Sequence, residues 1–498
     1  MKTSILTMFL VPTLLGCAPS KPLAPMNGPQ RAAQATDPAL ARIHNLASTE
    51  ANKQALPGMA VGLIRAGKLV SVKGYGASPA AKGITGETVF RLGSVTKTFT
   101  AMAVLQLRDA GKLKLADPVA KYLPELAAVL SPAGKKPVSV QHLLRHSSGI
   151  PPLGDGSIDW TRGVAITEAQ LLASVKNTKL RFEPGTQMEY SNVAMALAGL
   201  VVARASGTSY RAHIERHIID PLQMSATRWQ QKGYARGRVF PGYLRVGGEF
   251  KRPKNTWVLG AIEPAGGLYS TVHDMAKFLA FQLNPHSMSN VLSAKSVAAS
   301  HDKAETPASS PMGLGWVVEE GPELKKIVWH NGATYAYCAW VGIDPIRKNG
   351  AIIFFSTGGL KGVAHAGRLG KDALKILAGF EPGQMSKKQS SQNTSDAKLI
   401  AAIGPRMLAL INHPKEAKVA EIFSKVFLKQ LPETQVHAFL QALNTKIGLC
   451  TRYELVEDKG RGRLKLKLFC ANAAIHVTLA AQSTMPYLLD GFLIKQAP

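Results

Sequence analysis

Ser94-Val95-Thr96-Lys97 sets a hydroxyl and an amine three residues apart, close enough to share one face of a helix. The turn Arg91-Leu92-Gly93 precedes it, and Thr98 to Leu105 continues apolar nearly all round, which predicts a buried helix. A serine in the first turn of that helix sits at the positive end of its dipole. A lysine kept from water can lose its charge and take the hydroxyl proton. The same spacing recurs at Ser300 and Lys303, but in the polar stretch Ser300-His301-Asp302-Lys303 with no other motif beside it. Ser94 is therefore the candidate nucleophile and Lys97 its base. Downstream, Tyr190-Ser191-Asn192 is the only Tyr-x-Asn in the chain and follows the turn Phe182-Glu183-Pro184-Gly185. Its phenol can act with Lys97 as general base and then return a proton to a leaving group. The Asn192 amide can hold Lys97 or a substrate backbone. In His330-Asn331-Gly332 the imidazole can donate a hydrogen bond or carry partial charge, and the glycine leaves room for a substrate against the backbone. No metal-ligand spacing surrounds His142 and His146, which read as loop packing; no metal and no cofactor is expected.

These three motifs, in this order, resemble those of the serine hydrolases of the class C β-lactamase and penicillin-binding protein superfamily: Ser-x-x-Lys, Tyr-x-Asn, Lys/His-x-Gly. His142-Leu143-Leu144-Arg145-His146-Ser147-Ser148-Gly149 is similar to that family's leucine-leucine-histidine-serine-glycine loop. Ala265-Gly266-Gly267-Leu268-Tyr269-Ser270-Thr271 with Asp274, and Gly313-Leu314-Gly315-Trp316, match as well. The resemblance implies an acyl-enzyme on Ser94 and an oxyanion hole made by the N–H groups of Ser94 and Ala333. It implies Asn192, His330, Gly332 and Ala333 as substrate-binding positions. His330 stands where class C β-lactamases carry a lysine, which shifts the expectation toward D-amino-acid peptidases of the D,D-carboxypeptidase type, then carboxylesterases, then β-lactamases. A non-catalytic scaffold would have no use for the intact Ser94, Lys97 and Tyr190. No Gly-x-Ser-x-Gly elbow or Ser-Asp-Asn motif is present, which turns the reading away from α/β-hydrolases and class A enzymes.

The elements that must position these residues are legible in outline. Met59 to Arg65 and Leu69 to Lys73 read as a hairpin around Ala66-Gly67-Lys68. Helical segments and loops dominate from Leu115 to Lys295. Strands return at Gly315 to Glu319, at Ile327 running through Trp340, and at Ala351 to Ser356, before a helix from Val363 to Leu377. Strands from both ends with helices between them predict an α/β (α+β) fold: one antiparallel sheet flanked by helices, with a mostly helical region inserted. That layout is the β-lactamase/D,D-peptidase one implied by the resemblance. We place this domain at 37–380, a linker poor in apolar residues at 381–396, and a small C-terminal α+β module at 397–498. The module faintly resembles cone-shaped domains of the nuclear transport factor type. If its hairpin turns at Gly460, residues whose numbers sum to 920 face each other, which sets Cys450 opposite Cys470 as a disulfide or as two buried thiols. Cys338 lies in an apolar strand and reads as core.

At 498 residues the chain suits one large enzyme domain with an appendage, and 46% apolar content makes it globular. The net charge of +28 suggests a polyanionic partner. The basic residues spread through both halves without a nucleic-acid motif, so we expect no nucleic acid and a bias suited to anionic cell-envelope polymers. Met1-Lys2, the apolar stretch Ile5 to Leu15 and then Leu14-Leu15-Gly16-Cys17 resemble a bacterial lipoprotein signal, with 1–16 removed, Cys17 lipidated and 17–36 a tether. The location implied is the periplasmic face of the envelope, at the outer membrane, with a small peptide or ester as substrate, peptidoglycan fragments included. Oligomeric state is not legible.

Overall fold

The computed structural model describes residues 37–380 except 160–162, 231–232, 247–248, 255 and 304–309, and residues 403–496 except 404, 415, 417, 424–427, 429–431, 459–462 and 482–488. The signal, the tether with Cys17, and the linker lie outside the described residues. The chain forms two compact units, 1–382 and 383–498.

In the first unit, helix α1 (Pro38–Lys53) starts at Asp37, whose carboxylate accepts the Ala39 N–H at 2.9 Å and the Leu40 N–H at 3.3 Å. The hairpin β1 (Met59–Arg65) and β2 (Lys68–Tyr75) follows, then the short strand β3 (Phe90–Arg91) and helix α2 (Thr96–Asp109). The inserted region contributes α3 (Val140–Leu144), α4 (Asn192–Ser206), β4 (Tyr269–Ser270) and α5 (Val272–Leu283). The chain returns to the sheet through β5 (Val317–Glu319), β6 (Ile327–Ala333), β7 (Cys338–Asp344) and β8 (Asn349–Phe355), and α6 (Leu360–Leu377) ends the unit. The sheet order is β2-β1-β8-β7-β6-β5, antiparallel throughout. N-terminal strands thus sit beside the last one, as the strands-helices-strands pattern required.

Both faces of the sheet are covered, and the period of two decides which side chain goes where. Met59, Val61 and Leu63 of β1, with Ala351, Ile353 and Phe355 of β8, pack against α1 and α6. Ala60 and Ile64, with Ile352 and Phe354, face the larger core shared with α2, α4 and α5. Two covered faces explain why these strands are apolar at nearly every position. The segment expected as one strand through Trp340 is two: β6 and β7 are joined by a turn in which the Thr334 N–H donates to the Tyr337 carbonyl at 2.8 Å. Thr334-Tyr335-Ala336-Tyr337 contains no glycine, proline or asparagine, so the turn carries no compositional signal. Cys338 is buried core, its thiol pushed up to about 12 by desolvation.

In the second unit, helix α7 (Glu433–Ile447) precedes four antiparallel strands in chain order, β9 (Cys450–Asp458), β10 (Arg463–Cys470), β11 (Ala474–Ala481) and β12 (Leu489–Gln496). Val436, Leu440 and Ile447 pack with Leu466, Leu468, Ile475 and Val477. Cys450 and Cys470 face each other and form a disulfide. The sum of 920 holds only there. Two irregularities, between Cys450 and Arg452 and between Leu455 and Glu457, shift the pairing until Asp458 faces Leu464, a sum of 922. The paired strands thus run two steps out of the expected register at their far end, and two bulges restore the cysteine pair; the turn expected at Gly460 lies outside the described residues.

Candidate active site

Ser94 lies in a short 3-10 turn (Gly93–Val95), immediately before α2 rather than within it. Residues Thr96 to Leu105 of α2 are all buried. A buried helix with three threonines must satisfy their hydroxyls, and it does so with carbonyls: Thr96 to Gly93 at 2.8 Å, Thr98 to Val95 at 2.8 Å, Thr100 to Pro264 at 2.7 Å. Lys97, on the same helix, is fully buried.

The lysine amine has three neighbours: Ser94 Oγ at 3.0 Å, Asn192 Oδ1 at 2.9 Å and the Ala265 carbonyl oxygen at 2.6 Å. The last two can only accept. A neutral amine gives them its two protons and turns its lone pair to the Ser94 hydroxyl. Burial holds Lys97 well below its usual range, favouring that neutral form. Geometry and desolvation therefore agree on an amine able to take the serine proton.

Tyr190 reaches the same place from the far side. Its ring centroid lies 4.8 Å from Lys97 Nζ. Burial raises its phenol, while a hydrogen bond with Ser94 pulls the other way. The net direction is upward, so the phenol keeps its proton and is suited to donating it rather than to acting as a base alongside Lys97. The segment carrying Tyr190 is laced to the loop after α3: the Arg181 N–H donates to the Gly149 carbonyl, that of Gly185 to Ser147 and that of Glu189 to His146. Ser191 caps α4, its hydroxyl accepting the Ala194 N–H at 3.0 Å and donating to the Pro151 carbonyl at 3.1 Å. The cap fixes Asn192 at the first helical position, facing Lys97.

Strand β6 closes the other side. A Cβ on Gly332 would fall 1.9 Å from the Leu92 carbonyl oxygen and 2.9 Å from the Ser94 nitrogen. Gly93, at φ +54°, would with a side chain meet the Ala333 nitrogen at 2.9 Å. The two glycines let the strand and the nucleophile turn touch backbone to backbone. Gly332 is thus demanded by the protein's own Leu92 carbonyl, a stronger requirement than the room for substrate expected of it.

His330 also differs from expectation. Its Nδ1 lies 2.5 Å from the Asn331 carbonyl, so Nδ1 carries the proton and Nε2 is a lone-pair acceptor, buried and without a partner. Burial first, and Lys97 second, bring its pKa to about 3. The imidazole is neutral and supplies no cation.

The alternative Ser300–Lys303 pair is dismantled by its surroundings. Ser300 Oγ donates to the Val297 carbonyl at 2.7 Å, and Lys303 pairs with Glu320 at 2.7 Å. His142 closes a capping box with Ser139. Among the described residues no group of three or more His, Cys, Asp or Glu side chains is placed to hold a metal ion, and no single helix is long and apolar enough to cross a membrane. Sequence reasoning missed the Ala265 carbonyl, since a backbone acceptor has no residue type to betray it, and missed Ser191, the unnamed middle of Tyr-x-Asn.

An amine steered onto a serine by two oxygens is an arrangement in which a lysine, instead of an imidazole, can activate a serine nucleophile. The comparison with known proteins agrees: the β-lactamase family profile matches residues 42–375, and the chain belongs to that family. It is 26% identical over 322 residues to Protein flp of Staphylococcus aureus strain MW2, covering 63% of this chain and 62% of that protein. It is 27% identical over 289 residues to a protein named Beta-lactamase of Escherichia coli K12, covering 56% of this chain and 71% of that one. The match thus spans under two thirds of the Protein flp length. Among solved structures, the octameric penicillin-binding protein homologue from Pyrococcus abyssi shares the fold, with a TM-score of 0.61 at 23% identity over 89% of this chain and 90% of that one.

Proposed function

We propose that the protein cleaves amide or ester bonds through an acyl-enzyme on Ser94, with D-amino-acid-containing peptides, such as peptidoglycan fragments, as substrates. The observation that carries this is the Lys97 amine, whose only free valence meets Ser94 Oγ at 3.0 Å. Lys97 takes the hydroxyl proton as Oγ bonds to the substrate carbonyl carbon. The carbonyl electron pair moves onto oxygen, where the N–H groups of Ser94 and Ala333 stabilise it by about 3 kcal/mol each. On collapse the bond to the leaving atom breaks. Tyr190 gives that atom its proton and recovers one from Lys97. Water then replaces the leaving group in the reverse sequence, releasing the acid. Asn192 keeps the amine aligned throughout.

A carboxylesterase is the second reading, and His330 favours it. A neutral imidazole with its proton committed to Asn331 offers no cation to a substrate carboxylate, as a peptidase or β-lactamase acting on a free acid would want. A panel of D-Ala-D-Ala peptides, p-nitrophenyl esters and nitrocefin, run on the protein lacking residues 1–17, separates the three. Fluorophosphonate should label the wild type and Ser300→Ala but not Ser94→Ala; labelling that survives in Ser94→Ala removes the nucleophile.

A further inference from the structure

His146 takes no part in the reaction as described, yet it is completely buried and makes three contacts with Tyr190 and its two chain neighbours. Its carbonyl accepts the N–H of Glu189 at 2.9 Å. Its Nδ1 accepts the N–H of Ser191 at 3.1 Å. Its ring packs on the Tyr190 ring with centroids 4.2 Å apart. The N–H of the residue before the tyrosine, the N–H of the residue after it and the face of its ring are therefore all held by one residue. The backbone of His146 is left-handed, at φ +55°, a conformation unfavourable for a non-glycine residue. That turn lets carbonyl and imidazole point at the same tripeptide. Because Nδ1 accepts, the neutral ring carries its proton on Nε2, and burial, with Lys97 and His330 nearby, keeps it neutral.

We propose that His146 is a positioning residue for Tyr190, clamping Glu189-Tyr190-Ser191 so that the phenol stays against Ser94. The inference rests on the reading of Tyr190 as the proton donor to the leaving group. Loop packing alone would make His146 matter for stability; a clamp makes it matter for one step. An amine leaving group needs that proton, whereas p-nitrophenolate departs without it, so the two substrates divide the roles.

The test is the acylation rate with fluorescent penicillin against that with p-nitrophenyl acetate. His146→Leu removes the acceptor and the ring, and should slow penicillin acylation about 100-fold, the usual cost of an ångström of misplacement. It should leave acetate acylation within about threefold of wild type. His146→Asn keeps an acceptor near the Nδ1 position and tolerates the left-handed backbone, so it should retain most of the penicillin rate. In the Tyr190→Phe background His146→Leu should cost nothing further. A full additional loss in that background, or equal loss with both substrates, overturns the clamp while leaving the role of Tyr190 standing. A Tyr190→Phe protein acylated by penicillin at the wild-type rate overturns the proton-donor reading and the clamp with it. Should His146→Leu not fold, His146→Gln replaces it: its acceptor sits one bond further out, and a penicillin rate matching that of His146→Asn also overturns the clamp.

Discussion

Replacing Gly332 with alanine would drive a methyl carbon to 1.9 Å from the Leu92 carbonyl oxygen. Carbon and oxygen settle no closer than about 3.3 Å, so strand β6 and the nucleophile turn must part by roughly 1.4 Å. Ala333 follows Gly332 directly and moves with it, which takes its N–H out of reach of the developing oxyanion. Losing one such donor costs about 3 kcal/mol, a 10²- to 10³-fold fall in acylation rate. Ser94, Lys97 and Asn192 are joined through α2 and α4, so they should keep their contacts, and overpacking should lower stability by roughly 1–3 kcal/mol. The assay is stopped-flow acylation with p-nitrophenyl acetate, whose acyl group is too small to need the space above a glycine. A loss of two orders of magnitude with this substrate supports the backbone-contact argument. An unchanged acetate rate, with loss confined to bulky substrates, would refute it and restore the view that Gly332 merely makes room.

Lys97→Met should abolish acylation and raise thermal stability at neutral pH by on the order of 1 kcal/mol or more, since an amine that dislikes its burial is replaced by an apolar chain. Lys97 lies well below 10.5 in the folded protein, so between its folded pKa and 10.5 the unfolded chain binds the extra proton. Wild-type stability should thus rise with pH through that window, and calorimetry should find the rise flattened in the variant. Cys450→Ser with Cys470→Ser should weaken the C-terminal unit by about 3 kcal/mol, visible as an earlier loss of amide protection in β9 and β10 by hydrogen exchange. Mass spectrometry of the mature protein should find Cys17 acylated, and Cys17→Ser should leave the membrane fraction; an unmodified start elsewhere refutes the envelope location.

Side-chain chemistry in this site was readable from the sequence because nucleophile, base and tyrosine each need a particular residue type at a particular spacing. Ser94 and Lys97 are one helical turn apart, and the apolar run behind them announced the burial that lowers the lysine. What stayed hidden was carried by backbone. The Ala265 carbonyl, the contact of Gly332 with Leu92 and the double use of His146 depend on segments far apart in the chain. The direction of proton flow was also illegible, because desolvation of Tyr190 and the commitment of His330 Nδ1 to Asn331 are decided by folding. In the sheet, the covered faces made β1 and β8 plain, while the turn between β6 and β7 passed unseen because Thr334 to Tyr337 holds no residue that marks a turn.

The partners of Lys97 are a hydroxyl, a side-chain amide and a peptide carbonyl, with burial the cause of its lowered basicity. Counter-ions screen charges that face solvent across a Debye length of about 8 Å at physiological salt; they do not screen the absence of water. The Lys97 amine is therefore insulated from its surroundings in a way that an ion-paired lysine is not. With a net charge of +28, a change in salt alters how strongly the chain's surface attracts an anionic molecule. Such a change would alter the arrival of an anionic ligand, while the readiness of the Lys97 amine to accept a proton stays where burial sets it.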